Sequence, residues 1–275
     1  MWTLSGFADE IDPDLETQCQ VLDELGIRYI EFRSAWGVNV LDLSDDQLSE
    51  AWDILKRHGI QVSSIGSPIG KIAITDDFAP HLERMRHCVD VATRFQAPYI
   101  RLFSFFIPKG DDPASHRDEV IRRMKELTGC AEGTEITLLH ENEKEIYGDV
   151  PSRVLDIVES VASPTLRLAW DAANYVQCGV RPFTEGYAAL RPYTDYSQIK
   201  DAVLASGDVV PAGEGDGEVR ETMRALRADG FDGFFSMEPH LALANQLGGF
   251  SGADEFRRAT LTFTALLTSE GIDYQ

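Results

Sequence analysis

Four polar side chains occupy the ends of short apolar runs in the second half of the chain. Three such runs end at Glu141, Asp171 and Glu238, and a fourth contains Gln198. Three carboxylates gathered in one buried place raise each other's pKa unless a cation neutralises them. An all-oxygen donor set favours hard divalent ions such as Mn²⁺ or Mg²⁺ over Zn²⁺, which usually binds His and Cys. These residues predict a divalent-metal site. The alternative is a set of solvated loop carboxylates, in a chain with 46 acidic residues.

The segments that must position these side chains alternate in type along the chain. Eight runs rich in β-branched and aromatic residues alternate with segments of helical periodicity. They span residues 2–7, 28–33, 61–66, 99–105, 135–141, 166–171, 195–201 and 231–238. This alternation is typical of parallel βαβ units. Eight units within 275 residues predict a single (β/α)8 barrel domain covering residues 1–275, with polar strand ends gathered at one face.

Local signals agree with this assignment. Ser44 with Gln47 predicts a capping box, Asp12 before Pro13 predicts a helix start, and Gly59 predicts a left-handed helix end. A doubly wound open sheet is the competing architecture. It would usually place a glycine-rich phosphate loop after the first strand, where this chain has Phe7-Ala8-Asp9-Glu10.

Composition limits the partners. The chain has 46 acidic and 25 basic residues and a net charge of -21, which repels phosphate backbones and anionic membranes. Nucleic acid and membrane surfaces are therefore not expected as partners. No apolar run approaches the roughly 20 residues that cross a bilayer. The four cysteines lack CxxC spacing and the first residues lack a signal-peptide pattern, so we expect a reduced, cytoplasmic protein, with homo-oligomerisation left open.

Six segments carry a resemblance to a known superfamily. They are residues 5–11, residues 65–71, His140-Glu141-Asn142-Glu143, Asp171-Ala172-Ala173-Asn174, Ile199-Lys200-Asp201 and Met237-Glu238-Pro239-His240. In these segments the chain resembles the xylose isomerase-like TIM-barrel superfamily of sugar isomerases and epimerases, from the first strand through the eighth. The superfamily's DNA-repair endonucleases, which use three zinc ions, are a poor match for a chain with six His and a charge of -21.

The resemblance implies a metal centre. Members typically bind one ion, often Mn²⁺, through Glu, Asp, His and Glu on strands five to eight, which correspond here to Glu141, Asp171, Gln198 and Glu238. The chain departs from the family at Gln198, where the usual pattern is His-x-Lys-Asp. An amide oxygen can bind a hard cation but lacks the affinity of imidazole for later transition metals. One divalent ion is therefore implied, with Mn²⁺ expected and Mg²⁺ or Co²⁺ as alternatives.

The resemblance also implies a reaction. Isomerases and epimerases of this kind remove a proton next to a carbonyl of a small carbohydrate, and the metal stabilises the resulting ene-diolate. Glu141 and Glu238 would serve as the catalytic acid and base. Two alternatives stay open. A metal-dependent dehydratase of a keto-sugar or cyclitol would use the same metal and base. A non-catalytic binding barrel is the other, because Gln198 replaces the usual His.

Further side chains are predicted near the barrel mouth. The candidate substrate-binding residues are Lys200, His240, Lys71, Arg101, Asn174 and Tyr147. Lys200 shares the inward side of its strand with Gln198, because side chains alternate, and would hold a substrate oxygen or pair with a lumen carboxylate. Glu31 and Arg33 would position substrate or pair inside the barrel. His140 is expected to point away from the lumen.

Overall fold

Eight parallel strands form the centre of the computed structural model, which describes residues 1–241 and 251–275. The strands are β1 (Thr3–Gly6), β2 (Tyr29–Phe32), β3 (Gln61–Gly66), β4 (Tyr99–Leu102), β5 (Thr137–Glu141), β6 (Leu166–Asp171), β7 (Thr194–Ile199) and β8 (Phe234–Met237). Their hydrogen-bonded order is β1-β8-β7-β6-β5-β4-β3-β2, and β1 and β2 lie side by side. The predicted single (β/α)8 barrel is confirmed.

Helices surround these strands. They are α1 (Leu15–Glu24), α2 (Asp45–His58), α3 (Ala79–Arg94), α4 (Arg117–Gly129), α5 (Pro151–Val161), α6 (Ala172–Gln177), α7 (Ala188–Leu190), α8 (Val219–Ala228) and α9 (Ala253–Ser269). None of the helices in the described ranges has the length and apolar character needed to cross a membrane.

The helix ends test the local signals. Ser44 and Gln47 form the predicted capping box of α2, and Gly59 ends that helix in the left-handed conformation. The predicted start of α1 is wrong by two residues. Asp14, not Asp12, is the N-cap, and Asp12 instead accepts a hydrogen bond from the backbone N–H of Asp14.

The lumen changes from apolar to polar along the strands. Near their middle it is filled by a small buried cluster, Leu139, Ala169 and Tyr196, with Tyr99 and Phe234 packed against it. The larger apolar core lies outside this cluster and joins strands and helices. Because side chains alternate, the next inward positions of β5, β6 and β7 are Glu141, Asp171 and Gln198.

Candidate active site

Three carboxylates converge above the apolar cluster. Glu141, Asp171 and Glu238 each offer an oxygen, and these oxygens lie within 4.8 Å of one another. All three side chains are buried. β5 and β6 end at Glu141 and Asp171, and Glu238 directly follows β8, so the strand ends themselves create this concentration of negative charge.

Lys200 provides a cation for two of them. Its Nζ lies 2.9 Å from Asp171 Oδ2 and 2.7 Å from Glu238 Oε2. Burial would lower the pKa of Lys200, but the two carboxylates outweigh it and hold that pKa well above its usual value. Burial likewise would raise the pKa of Glu238, but Lys200 and His240 hold it well below its ordinary range. Burial raises the pKa of Asp171 to about 7. Of the two roles expected for Lys200, the structure shows the ion pair.

Glu141 is held from two sides. Arg101 Nη1 lies 2.8 Å from Glu141 Oε2, and Asn174 Nδ2 donates to Glu141 Oε1 at 3.1 Å. Asn174 is fixed in turn by α6, because Asp171 caps this helix through the Asn174 backbone N–H. Burial is the main cause that raises the pKa of Glu141. The side chains of Arg101 and Asn174 therefore contact Glu141, one of the two catalytic candidates.

Gln198 points into the lumen, as predicted. Its Nε2 lies 3.2 and 3.1 Å from the two carboxylate oxygens of Glu31, which reaches across from β2. Both side chains are buried, and burial raises the pKa of Glu31 to about 7. Among the residues that the structure describes, the buried Gln198 Oε1 has no hydrogen-bond partner.

Arg33 supports Glu238 from the side of β2. Its Nη1 lies 3.3 Å from Glu238 Oε1, and its Nε lies 2.8 Å from Asp9 Oδ2. Its side chain is 9% exposed. Of the two roles expected for Arg33, the structure therefore shows pairing inside the barrel.

Glu10 organises the chain that follows β8. His240 Nε2 lies 3.2 Å from Glu10 Oε1 and 3.4 Å from Glu238 Oε1. Glu10 Oε2 accepts hydrogen bonds from the His240 backbone N–H at 2.8 Å and from Ser251 Oγ at 2.7 Å. These bonds help to hold His240 at its positive φ of 49°. Glu10 was not among the site residues predicted from the sequence. In the sequence, it lies just after the first strand, within the segment 5–11 that carries the family resemblance.

The remaining candidates lie further out. Lys71 Nζ lies 3.3 Å from Glu143 Oε2 and 4.2 Å from the centre of the Phe103 ring, and its side chain is 30% exposed at the mouth. The Tyr147 hydroxyl donates to Asp156 Oδ2 on α5 at 2.8 Å, and Tyr147 packs within the outer apolar core. Tyr147 is therefore not brought to the carboxylate cluster.

His140 is buried outside the lumen, in agreement with the predicted alternation. It lies against Gly148, where an added Cβ would come within 2.4 Å of its Cε1. Burial lowers the pKa of His140 to about 3, which keeps the ring neutral. A packing role is consistent with this placement.

The glycine-rich run at residues 213–217, in the loop after β7, folds around Asp201. The backbone N–H groups of Gly213, Gly215 and Gly217 donate to its carboxylate at 3.0, 3.0 and 2.7 Å. Converging backbone N–H groups of this kind can bind an anion, and here the anion is a side chain of the protein. Asp201 therefore stabilises the loop that follows Lys200.

The donor set fits a hard divalent cation. Three buried carboxylates converge at the ends of β5, β6 and β8. Between β6 and β8, β7 carries the buried Gln198, whose amide oxygen lacks a hydrogen-bond donor in the described part of the chain. Hard ions bind such oxygens, and a cation removes the cost of burying several like charges together. Glu141, Asp171, Gln198 and Glu238 are the residues that could hold it.

Comparisons with known proteins agree with the architecture. Residues 19–252 match the family described as xylose isomerase-like TIM barrel. Over 163 residues, the chain is 29% identical to a 2-epi-5-epi-valiolone 7-phosphate 2-epimerase of Actinoplanes sp., a match that covers 59% of this chain and 58% of that relative. The match therefore spans little more than half of the length of the relative.

Solved structures share the fold over nearly the whole chain. A D-tagatose 3-epimerase-like protein has a TM-score of 0.79 at 15% identity, covering 97% of both chains. A probable 3-DHS dehydratase from Bacillus anthracis has a TM-score of 0.74 at 19% identity, covering 96% of this chain and 98% of that one. A xylose isomerase-like TIM barrel protein from Mycobacterium smegmatis in complex with magnesium has a TM-score of 0.72 at 22% identity, covering 98% and 96%.

Proposed function

The chain belongs to the xylose isomerase-like TIM-barrel family, and on that premise we propose that it is a divalent-metal-dependent isomerase or epimerase of a sugar or sugar derivative. The observation that carries the proposal is the convergence of the buried Glu141, Asp171 and Glu238. In the described part of the chain, the unpartnered oxygen of Gln198 on the intervening strand supports it. The epimerase named among its relatives supports the same reaction class.

Glu141, Asp171, Gln198 and Glu238 would hold the ion, with Mn²⁺ expected and Mg²⁺ or Co²⁺ as alternatives. The magnesium complex of the M. smegmatis protein supports a metal in this fold. When bound, the ion would stabilise negative charge that develops on the substrate oxygens. Lys200 holds Asp171 and Glu238 together. It would also donate a hydrogen bond to a substrate oxygen.

Glu141 and Glu238 would exchange the substrate proton. They enter the lumen from two strands that are not neighbours, so a substrate carbon between them would have one carboxylate on each side. Either carboxylate could remove the proton while the other returns it from the opposite side. Arg33 and Arg101 keep these carboxylates in place.

Substrate contacts would come from the mouth. His240 is 20% exposed at its side chain and touches Glu238, so it can meet a hydroxyl beside the reacting carbon. Lys71 lies further out and would meet a more distant oxygen of the carbohydrate. Arg101 and Asn174 would act through Glu141, and we assign no substrate contact to Tyr147.

A dehydratase is the second candidate, because the fold is shared with a probable 3-DHS dehydratase and the same base could start the loss of a β-hydroxyl. A screen of keto-sugars and cyclitols in deuterated water separates the two. Deuterium uptake without loss of water indicates an isomerase or epimerase, and loss of one water indicates a dehydratase.

The screen is run on protein purified without chelator, with its metal content measured. Glu141→Gln and Glu238→Gln should each lower the rate of deuterium uptake at least about a hundredfold, because each removes a proton-transfer group. Glu50→Gln on the exposed side of α2 is the matched control. Absence of both metal and turnover in the wild-type protein would favour the non-catalytic binding barrel.

A further inference from the structure

The Gln198 side chain is bound at one end only. Both distances from its Nε2 to Glu31, 3.2 and 3.1 Å, are within hydrogen-bond range, and Gln198 is 1% exposed. In the described ranges, no donor reaches its Oε1. The amide nitrogen of Gln198 therefore donates to Glu31 of β2, and its amide oxygen accepts no hydrogen bond from the described residues.

The orientation of that amide follows from chemistry. The two ends of an amide have nearly the same shape, and the hydrogen-bond partners decide which end faces which way. With Glu31 ionised, reversal would place Gln198 Oε1 against two carboxylate oxygens, so that acceptor would face acceptor. It would also bring the NH₂ group to the end that Oε1 now occupies. The amide nitrogen has no free lone pair with which to bind a cation.

The backbone aims Glu31 at this position. β2 pairs Ile30 with Val62 but Glu31 with Ser64, so the register with β3 shifts immediately before Glu31. Such irregularities redirect the side chains next to them. Glu31 is completely buried and crosses the lumen to β7.

We propose that Glu31 is the positioning residue that turns the oxygen of Gln198 toward the metal site. The inference rests on the proposed function, because it assumes that Gln198 is a ligand. It also accounts for how an amide can stand where the family usually has His: a carboxylate behind the amide selects its donor atom.

A double-mutant cycle with Mn²⁺ as the probe tests this role. Affinity is measured by titration calorimetry on the full chain as wild type, Glu31→Leu, Gln198→Ala and the double variant. Glu31→Leu leaves no acceptor for Gln198 Nε2 and should weaken Mn²⁺ binding about tenfold in the wild-type background, since loss of a residue that orients a ligand typically costs this much. In the Gln198→Ala background, where no amide needs orienting, the loss should shrink to less than about twofold.

Charge alone would give a different pattern. Glu10→Gln removes another fully buried carboxylate, which contacts His240 instead of Gln198, and should weaken Mn²⁺ equally in both backgrounds. An equal loss for Glu31→Leu in both backgrounds would mean that Glu31 acts through its charge, and this would overturn the inference alone. Failure of the wild type to bind Mn²⁺ would overturn the proposed metal site as well.

Folding is checked by thermal denaturation. If Glu31→Leu does not fold, Glu31→Asp keeps the charge but withdraws the acceptor from Gln198. It should weaken Mn²⁺ binding in the wild-type background and leave it nearly unchanged in the Gln198→Ala background. Unchanged affinity in both backgrounds would refute the positioning role.

Discussion

Replacing Lys200 with methionine removes the buried cation between Asp171 and Glu238. Lys200 is 4% exposed, and its Nζ lies 2.9 and 2.7 Å from these carboxylates. Removing one partner of a buried ion pair typically costs about 3–5 kcal/mol, because the remaining charge is uncompensated. Asp171, with a pKa raised to about 7 mainly by burial, can relieve part of this cost by taking up a proton. We therefore expect Lys200→Met to lose about 3 kcal/mol at pH 7 without metal.

This loss should be visible as a melting temperature lower by about 6–12 °C, given about 2–4 °C per kcal/mol for a chain of this size. Mn²⁺ should restore much of it, because a bound cation neutralises the carboxylates that Lys200 leaves behind. A ligand at a hundred times its Kd adds about 2.7 kcal/mol. At one fixed Mn²⁺ concentration, the gain should be larger for the variant than for the wild type, since no ammonium group competes with the ion.

The assay is thermal denaturation in EDTA and in Mn²⁺, with the exposed Lys56→Met as the matched control. An unchanged melting temperature in EDTA would refute the importance of the ion pair. A smaller Mn²⁺ gain in Lys200→Met than in the wild type would refute the idea that Lys200 and the metal share these carboxylates.

Three further outcomes are expected. Gln198→His should tighten Mn²⁺ and Co²⁺ binding about tenfold, because imidazole is the better donor and Glu31 can accept its second N–H; equal or weaker affinity in titration calorimetry would contradict this. The pKa of Glu31 is raised to about 7 in the folded state, so the folded protein binds a proton that the unfolded chain releases above its ordinary pKa of 4.5. Stability of the metal-free protein should therefore fall by on the order of 3 kcal/mol as the pH rises from about 4.5 through 7, and Glu31→Gln should flatten this slope in denaturant titrations; an unchanged slope would argue against a buried, titrating Glu31. Gly215→Ala should cost about 1–3 kcal/mol in the same titrations, because its Cβ would lie 2.4 Å from Ala202 O and 2.6 Å from Asp201 Oδ1. A Gly215→Ala protein as stable as the wild type would mean that the loop does not close around Asp201.

The strand ends show which features of the structure a local sequence pattern can predict. Alternation along β5, β6 and β7 predicts that Glu141, Asp171 and Gln198 face inward, and the structure places them in the lumen above the apolar cluster. The barrel and the capping box of α2 were predictable for the same reason. Each prediction depends on residue patterns within one short segment. Backbone geometry gives those patterns the same meaning wherever the segment lies in the fold.

Tertiary structure decided which side chains become partners. The Glu31–Gln198 contact joins residues 167 positions apart, and the Glu10–Ser251 contact joins residues 241 positions apart. Tyr147 was predicted to bind substrate near the barrel mouth, yet its hydroxyl donates to Asp156 on α5. Residue type alone predicts only that such groups need partners.

The physical reason lies in the way a barrel closes. Strand stagger sets which side chains share a level of the lumen, and one extra residue in a strand changes the pairing beyond it. The register shifts between Ile30 and Glu31, and again between Leu168 and Ala169, are of this kind. The sequence by itself determined the fold and the set of inward polar residues. Only the tertiary structure of the barrel decided that Lys200 neutralises Asp171 and Glu238, and that Glu31 binds the amide nitrogen of Gln198.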